Sequence, residues 1–119
     1  MPDVTGDAVR ELARGRDQAT KAASLLLRLK RAARDSGDYD RFERYSTAYT
    51  AALEAEDKAT KRLIAGLANP DEAKVRQLST AIDELKARLT RLKRSEAALN
   101  DVASGITILT HAILLFGML

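Results

Sequence analysis

Val75, Leu78, Ile82, Leu85, Leu89 and Leu92 recur at alternating intervals of three and four residues. A spacing of 3.5 keeps every one of these side chains on a single stripe of an α-helix, and such a stripe is buried only against another helix, knobs into holes. This seam restricts the chain to helix-on-helix packing. The composition agrees: Ala, Leu, Arg, Lys, Asp and Glu dominate, prolines number two, and aromatics make up 4% of residues. No fragment reads as a strand. At 119 residues the length suits a single helical domain spanning 1–119.

Two further helices precede the seam. In the first, about 5–35, Ala8, Leu12, Ala19, Ala22, Leu26, Leu29 and Ala33 form the stripe, and Gly37 closes the end. The second, about 39–68, opens with Asp40 and Glu43 at capping-box spacing and presents Phe42, Tyr45, Tyr49, Leu53, Leu63 and Leu67. Asn69-Pro70-Asp71-Glu72 then predicts an Asn cap with proline in the first turn. The third helix, about 70–104, carries the seam. Ser104-Gly105 is the expected break before a short helical segment over 105–119, because glycine in a helix interior costs about 1 kcal/mol relative to alanine. Short connections make consecutive helices antiparallel neighbours, so the expected fold is all-α: an elongated up-down-up three-helix bundle with a short apolar fourth segment.

Several chemistries are excluded or disfavoured. The chain has no cysteine, which removes disulfides, zinc–thiolate sites and thiol nucleophiles. A di-metal bundle needs Glu with His three residues on, but the single His111 has Ile108 and Leu114 at those offsets. Phosphate-binding glycine loops and dinucleotide fingerprints are absent. No enzyme and no cofactor are expected. His111, set among Thr110, Ala112 and Ile113, reads as a buried or interface histidine.

Glu56 and Glu96 fall on or beside apolar seams and each needs a partner. Antiparallel register sets Glu56 level with Arg16 and Glu96 level with Arg41 and Tyr45, so these residues are expected to fix the register of the hairpins. Tyr39, Phe42, Tyr45 and Tyr49, spaced by three and four, read as a core stripe rather than a base-stacking platform. The adjoining Asp35, Asp38, Asp40 and Glu43 disfavour phosphate, and a net charge of +3 adds little for it. Nucleic acid is therefore an unlikely partner.

The last eighteen residues, Val102–Leu119, contain no Lys, Arg, Asp or Glu. Ile106, Leu109, Ile113, Phe116 and Leu119 are the candidate contact residues of this segment. It is near the shortest length that spans a bilayer, and a helix apolar all round is buried in protein or in lipid. Arg28 and Arg31 late in the first helix, with Arg88, Arg91 and Arg94 in the third, are expected at the end of the rod from which this tail departs. They would form a basic collar suited to anionic headgroups. The opening Met1-Pro2-Asp3-Val4-Thr5-Gly6-Asp7 lacks a basic region and an apolar run, so a cytoplasmic location is expected. Two readings follow. The first is a soluble interaction or assembly module whose tail packs on the bundle or on another subunit, with homo-oligomerisation expected. The second is a membrane-associated protein that inserts its tail as an anchor or a pore segment.

Overall fold

A computed structural model describes residues 4–119; Met1, Pro2 and Asp3, part of the stretch read for a leader, lie outside the described residues. Within them four helices form an all-α bundle: α1 (Val4–Asp35), α2 (Tyr39–Ala65), α3 (Glu72–Arg94) and α4 (Leu99–Leu114). Its extents are 55 × 23 × 16 Å and its radius of gyration 15.1 Å. A compact domain of this length would have a radius near 13.5 Å, so the molecule is a rod.

The first turn forms where glycine dictates. Gly37 adopts φ 79°, a conformation that costs glycine nothing. Asp38 N–H then reaches the Ala33 carbonyl and Gly37 N–H reaches that of Arg34, the paired bonds of a Schellman motif. The Asp38 carboxylate accepts from Arg41 N–H at 3.1 Å and so caps α2, a role expected of Asp40. The start of α3 is displaced in the same way. Asp71, not Asn69, is its cap, with Oδ1 accepting from Lys74 N–H at 2.8 Å, while Asn69 sits at φ 54° and Pro70 precedes the helix.

The break before the fourth helix lies at Ser95 rather than at Ser104-Gly105. Ser95 is extended, its N–H closes α3 on the Arg91 carbonyl, and its hydroxyl accepts from Ala97 N–H to begin a 3-10 turn over Glu96–Ala98. The cluster Arg91, Lys93 and Arg94 ends α3, where cations face the negative helix terminus. Gly105 lies inside α4 for a packing reason: a Cβ there would stand 3.0 Å from Arg88 Cδ and 3.2 Å from a Leu85 methyl. Its missing side chain lets α3 and α4 approach.

Helix order around the bundle also differs from a simple up-down-up arrangement. α1 lies between α2 and α3, α4 lies between α3 and α2, and α2 and α3 scarcely touch across the diagonal. The connection over Gly66–Asp71 therefore crosses the end of the bundle. It makes α1 a parallel neighbour of α3, and α2 a parallel neighbour of α4. Its two-residue strand β1 (Leu67–Ala68) pairs antiparallel with β2 (Gly117–Met118), with Leu67 opposite Met118.

The core runs the length of the rod. Leu12, Leu26, Leu78, Leu85, Ile106, Leu109, Ile113 and Phe116 are all fully buried, each contributing about 1.5–3 kcal/mol of transfer free energy. On α2 the buried line is Tyr45, Ala48, Ala52, Ala55, Ala59 and Arg62, alternating by three and four. Leu53, assigned to that face by its size, is exposed. Small residues on α1 (Ala19, Ala22, Ala23) match this alanine seam, and contact between small side chains brings helix axes to the short end of their 8–10 Å range.

Candidate functional site

With the break at Ser95, α4 runs back along the bundle, and the two features expected to sit together occupy opposite ends. The basic collar surrounds the turns at Gly37 and Ser95. The apolar C-terminus lies at the other end, called here the tip, beside the start of α1 and α3 and the end of α2. A collar that holds headgroups around an inserting tail is not what this fold builds.

The tail residues divide. Ile106, Leu109 and Ile113 on α4 and Phe116 just beyond it are each at most 1% exposed and pack within their own bundle. They are unavailable to a second subunit or to lipid while the bundle is closed. Leu119 alone of the five is exposed, at 84%, and its N–H donates to the Gly66 carbonyl at 3.0 Å. Ile64, Leu114, Leu115 and Met118 are also exposed at this end, Ile64 to 82%. His111 is exposed, so it is not the buried side chain that was one of its two expected placements.

Beneath this surface lies a group that apolar periodicity does not reveal. Arg62 is 7% exposed and occupies the last position of the α2 seam, where aliphatic residues are the rule. Its Nε donates to the Phe116 carbonyl at 2.7 Å and its Nη1 to the Lys58 carbonyl at 3.0 Å. Among the described residues no carboxylate pairs with it. One cation thus ties the end of α2 to the chain beyond α4. The seam 45-48-52-55-59-62 does carry the signal, provided alanine is counted as a core residue.

At the collar end Arg28, Arg31 and Arg94 are exposed. Arg88 is half-buried, donating to the Asp101 carbonyl at 3.0 Å and lying 3.7 Å from Glu84. Arg91 faces Asp101 at 3.6 Å. The Lys30 ammonium sits 5.4 Å from the Phe42 ring and 5.1 Å from the Tyr49 ring, a cation–π arrangement. The aromatic row is therefore not one core stripe: Tyr45 is buried, Phe42 and Tyr49 are half-buried under Lys30, and Tyr39 is 70% exposed.

Of the two register glutamates, Glu96 meets Arg41 at 2.5 Å. Both side chains are about half exposed, so the pair contributes at most about 1 kcal/mol. Glu56 does not pair with Arg16. It accepts from the Thr20 hydroxyl at 2.8 Å, one turn further along α1, while Arg16 lies 3.7 Å from Asp17. The register is shifted by one helical turn relative to a hairpin centred on Gly37.

Tyr45, Arg41 and Glu96 border a cavity of about 270 Å³ with Leu29, Ala33 and Ser36. Burial holds the Tyr45 hydroxyl above the ordinary tyrosine range; the Glu96 carboxylate adds to the rise and Arg41 opposes it. Folding thus favours the neutral phenol. Stability is intact below the ordinary value near pH 10 and declines as pH rises through the higher folded value. In an alkaline titration of phenolate absorbance, Tyr45→Phe is expected to remove a phenol that ionises above the ordinary range and to flatten the loss of stability. An unchanged profile in the variant would refute this. Arg41 and Glu96 neutralise each other, leaving the cavity without a free acid–base pair. Among the described residues no cluster of three or more His, Cys, Asp or Glu side chains could hold a metal ion.

Comparison with protein-family models, with curated proteins and with solved structures finds no match to this chain.

Proposed function

We propose that the chain is a non-enzymatic assembly module of the cytoplasm, which meets a second copy of itself through the apolar tip. The observation that carries this reading is the gathering of Ile64, Leu114, Leu115, Met118 and Leu119, all exposed, at one end of the rod. Single exposed aliphatic residues are ordinary, whereas a concentration of them marks an interaction surface. The surface is also held in shape, by Arg62 and by the β1–β2 pair beneath it. Sedimentation equilibrium tests the proposal. The wild-type chain is expected to self-associate, and a variant carrying Ile64→Glu and Leu119→Glu to sediment as a helical monomer. A monomeric wild type, or association undiminished in the variant, would overturn it.

A second reading has one observation in its favour. Glu96–Leu114, 19 residues of mean hydropathy 1.3, is long and apolar enough to cross a membrane, although 39% of the window is buried within the bundle. Insertion would require α4 to leave α1, α2 and α3. Flotation with anionic liposomes separates the readings: protein that floats and loses its α3–α4 packing supports the membrane role, and protein left at the bottom of the gradient opposes it.

A further inference from the structure

The groove between the parallel helices α1 and α3 carries a charge pattern that bundle stability does not account for. Its walls hold Lys21 on α1 and Lys86 and Lys93 on α3, around a cavity of about 280 Å³ floored by Leu25 and Leu89. The three lysines are exposed, and among the described residues none has a carboxylate partner. Of the neighbouring cations, Arg14 is satisfied by Glu11 and Asp83, while Arg88 and Arg91 turn toward α4, where they meet the Asp101 carbonyl and carboxylate. The chain has no Asp or Glu between Lys21 and Arg34, nor between Leu85 and Ser95, and the acid that lines the adjoining cavity with Lys21 and Lys86, Asp17, lies against Arg16 at 3.7 Å. Like charges set around one cavity repel, and that repulsion is relieved by an anionic occupant.

Spacing and floor indicate what kind of occupant. Lys86 and Lys93 stand one heptad apart, and Lys21 is followed one heptad later by the exposed, unpaired Arg28. Because α1 and α3 run the same way, the two cationic rows are in step, each about 10 Å long at 1.5 Å per residue. A helix lying in the groove would present flanking residues to both rows at this repeat, as charged flanks do in coiled coils. Leu25 and Leu89, 6% and 5% exposed, show only their edges at the bottom, so an apolar side chain of such a helix would rest there mainly between the aliphatic stems of the lysines. Nucleic acid fits less well, since its phosphates gain nothing from a leucine floor and no aromatic ring lines the groove for stacking.

We infer that the α1–α3 groove is a docking site for an acidic amphipathic helix of a partner protein, with Lys21, Arg28, Lys86 and Lys93 facing its carboxylates. This surface is separate from the apolar tip and stands whether or not the tip self-associates. The probe is a fluorescein-labelled synthetic peptide of about three heptads, with Leu at the central positions and Glu on both flanks. Anisotropy titrations at near-physiological salt compare it with a Leu→Ser version and with random-sequence duplex DNA. The Glu/Leu peptide is expected to bind, and Lys86→Glu with Lys93→Glu to weaken it by about tenfold or more, at unchanged helicity by circular dichroism. Serine in place of leucine is also expected to weaken binding. The inference fails if the Glu/Leu peptide does not bind, or binds the double variant equally. It fails too if duplex DNA binds more tightly than the peptide and the Leu→Ser change has no effect.

Discussion

Ile113→Asp is expected to strip the chain of much of its stability and to move its unfolding midpoint far below that of the wild type. Ile113 is 0% exposed and stands on the same buried face of α4 as Ile106 and Leu109. An aspartate there must either ionise without a partner or take up a proton, and in both cases the transfer energy of the isoleucine is lost. Together these terms amount to at least about 4 kcal/mol, against a total stability of about 5–15 kcal/mol for a natural domain. Urea unfolding followed by circular dichroism measures the change, with Ile113→Val as the mild control at about 1 kcal/mol. If the aspartate variant kept the wild-type midpoint, α4 would not lie in the bundle in solution. Membrane insertion would then regain its standing.

The second large effect is expected at Arg62. Truncation to alanine removes the donors to the Phe116 and Lys58 carbonyls and the stem of a side chain that is 7% exposed. Hydrogen bonds from a charged group are worth about 1.5–3 kcal/mol, and removing the guanidinium also removes its own desolvation cost. The net loss is about 2–3 kcal/mol, or roughly 10 °C in Tm for a domain of this size. Arg62→Met keeps the volume and is expected to lose less. The burial of this cation without a carboxylate has a structural cause. α2 and α4 are parallel neighbours, so both present their negative C-terminal ends to the same place, and Arg62 lies between them. Its contribution is thus largely protected from ionic strength, and the stability difference between wild type and Arg62→Ala should persist in molar salt. A difference abolished by salt would point to a surface ion pair instead.

Much of the fold was legible because the information was local and repeated. The α3 seam from Leu78 to Leu92 is buried as its heptad spacing predicts, with Val75 half-buried where the seam begins. Gly37 marks the first turn, where its backbone conformation is required. Two departures come from weighting residues by size or by generic propensity. Leu53 outranks Ala52 in hydrophobicity, yet close approach to α1 selects the small residue for the core. Gly105 suggests a break by its helix propensity, but in α4 it makes room for Leu85 and Arg88. Ser95 carried the true signal, a capping residue placed directly after a basic helix end. Of the candidate site, the grouping of Arg28, Arg31, Arg91 and Arg94 toward one end was legible, because those residues cluster in the sequence near the ends of α1 and α3. Arg62 was not, because a cation in an alanine seam stands out only once the seam is recognised. Nor was the α1–α3 groove, which requires two helices far apart in sequence to be parallel neighbours.

The β1–β2 pair has a consequence for the order in which the molecule assembles. The helix pairs α1–α2 and α3–α4 are each joined by a tight turn, so their contacts close small loops. Leu67 and Met118 are separated by the whole α3–α4 hairpin. Closing that loop carries the larger entropy cost, and only two residues on each side repay it. The hairpins are therefore expected to form before the clasp, and the clasp to open before the helices separate, an order that amide exchange at Leu67 and Met118 would report. Opening would free Gly117–Leu119 while Arg62 still holds the Phe116 carbonyl and the core on α4 stays closed.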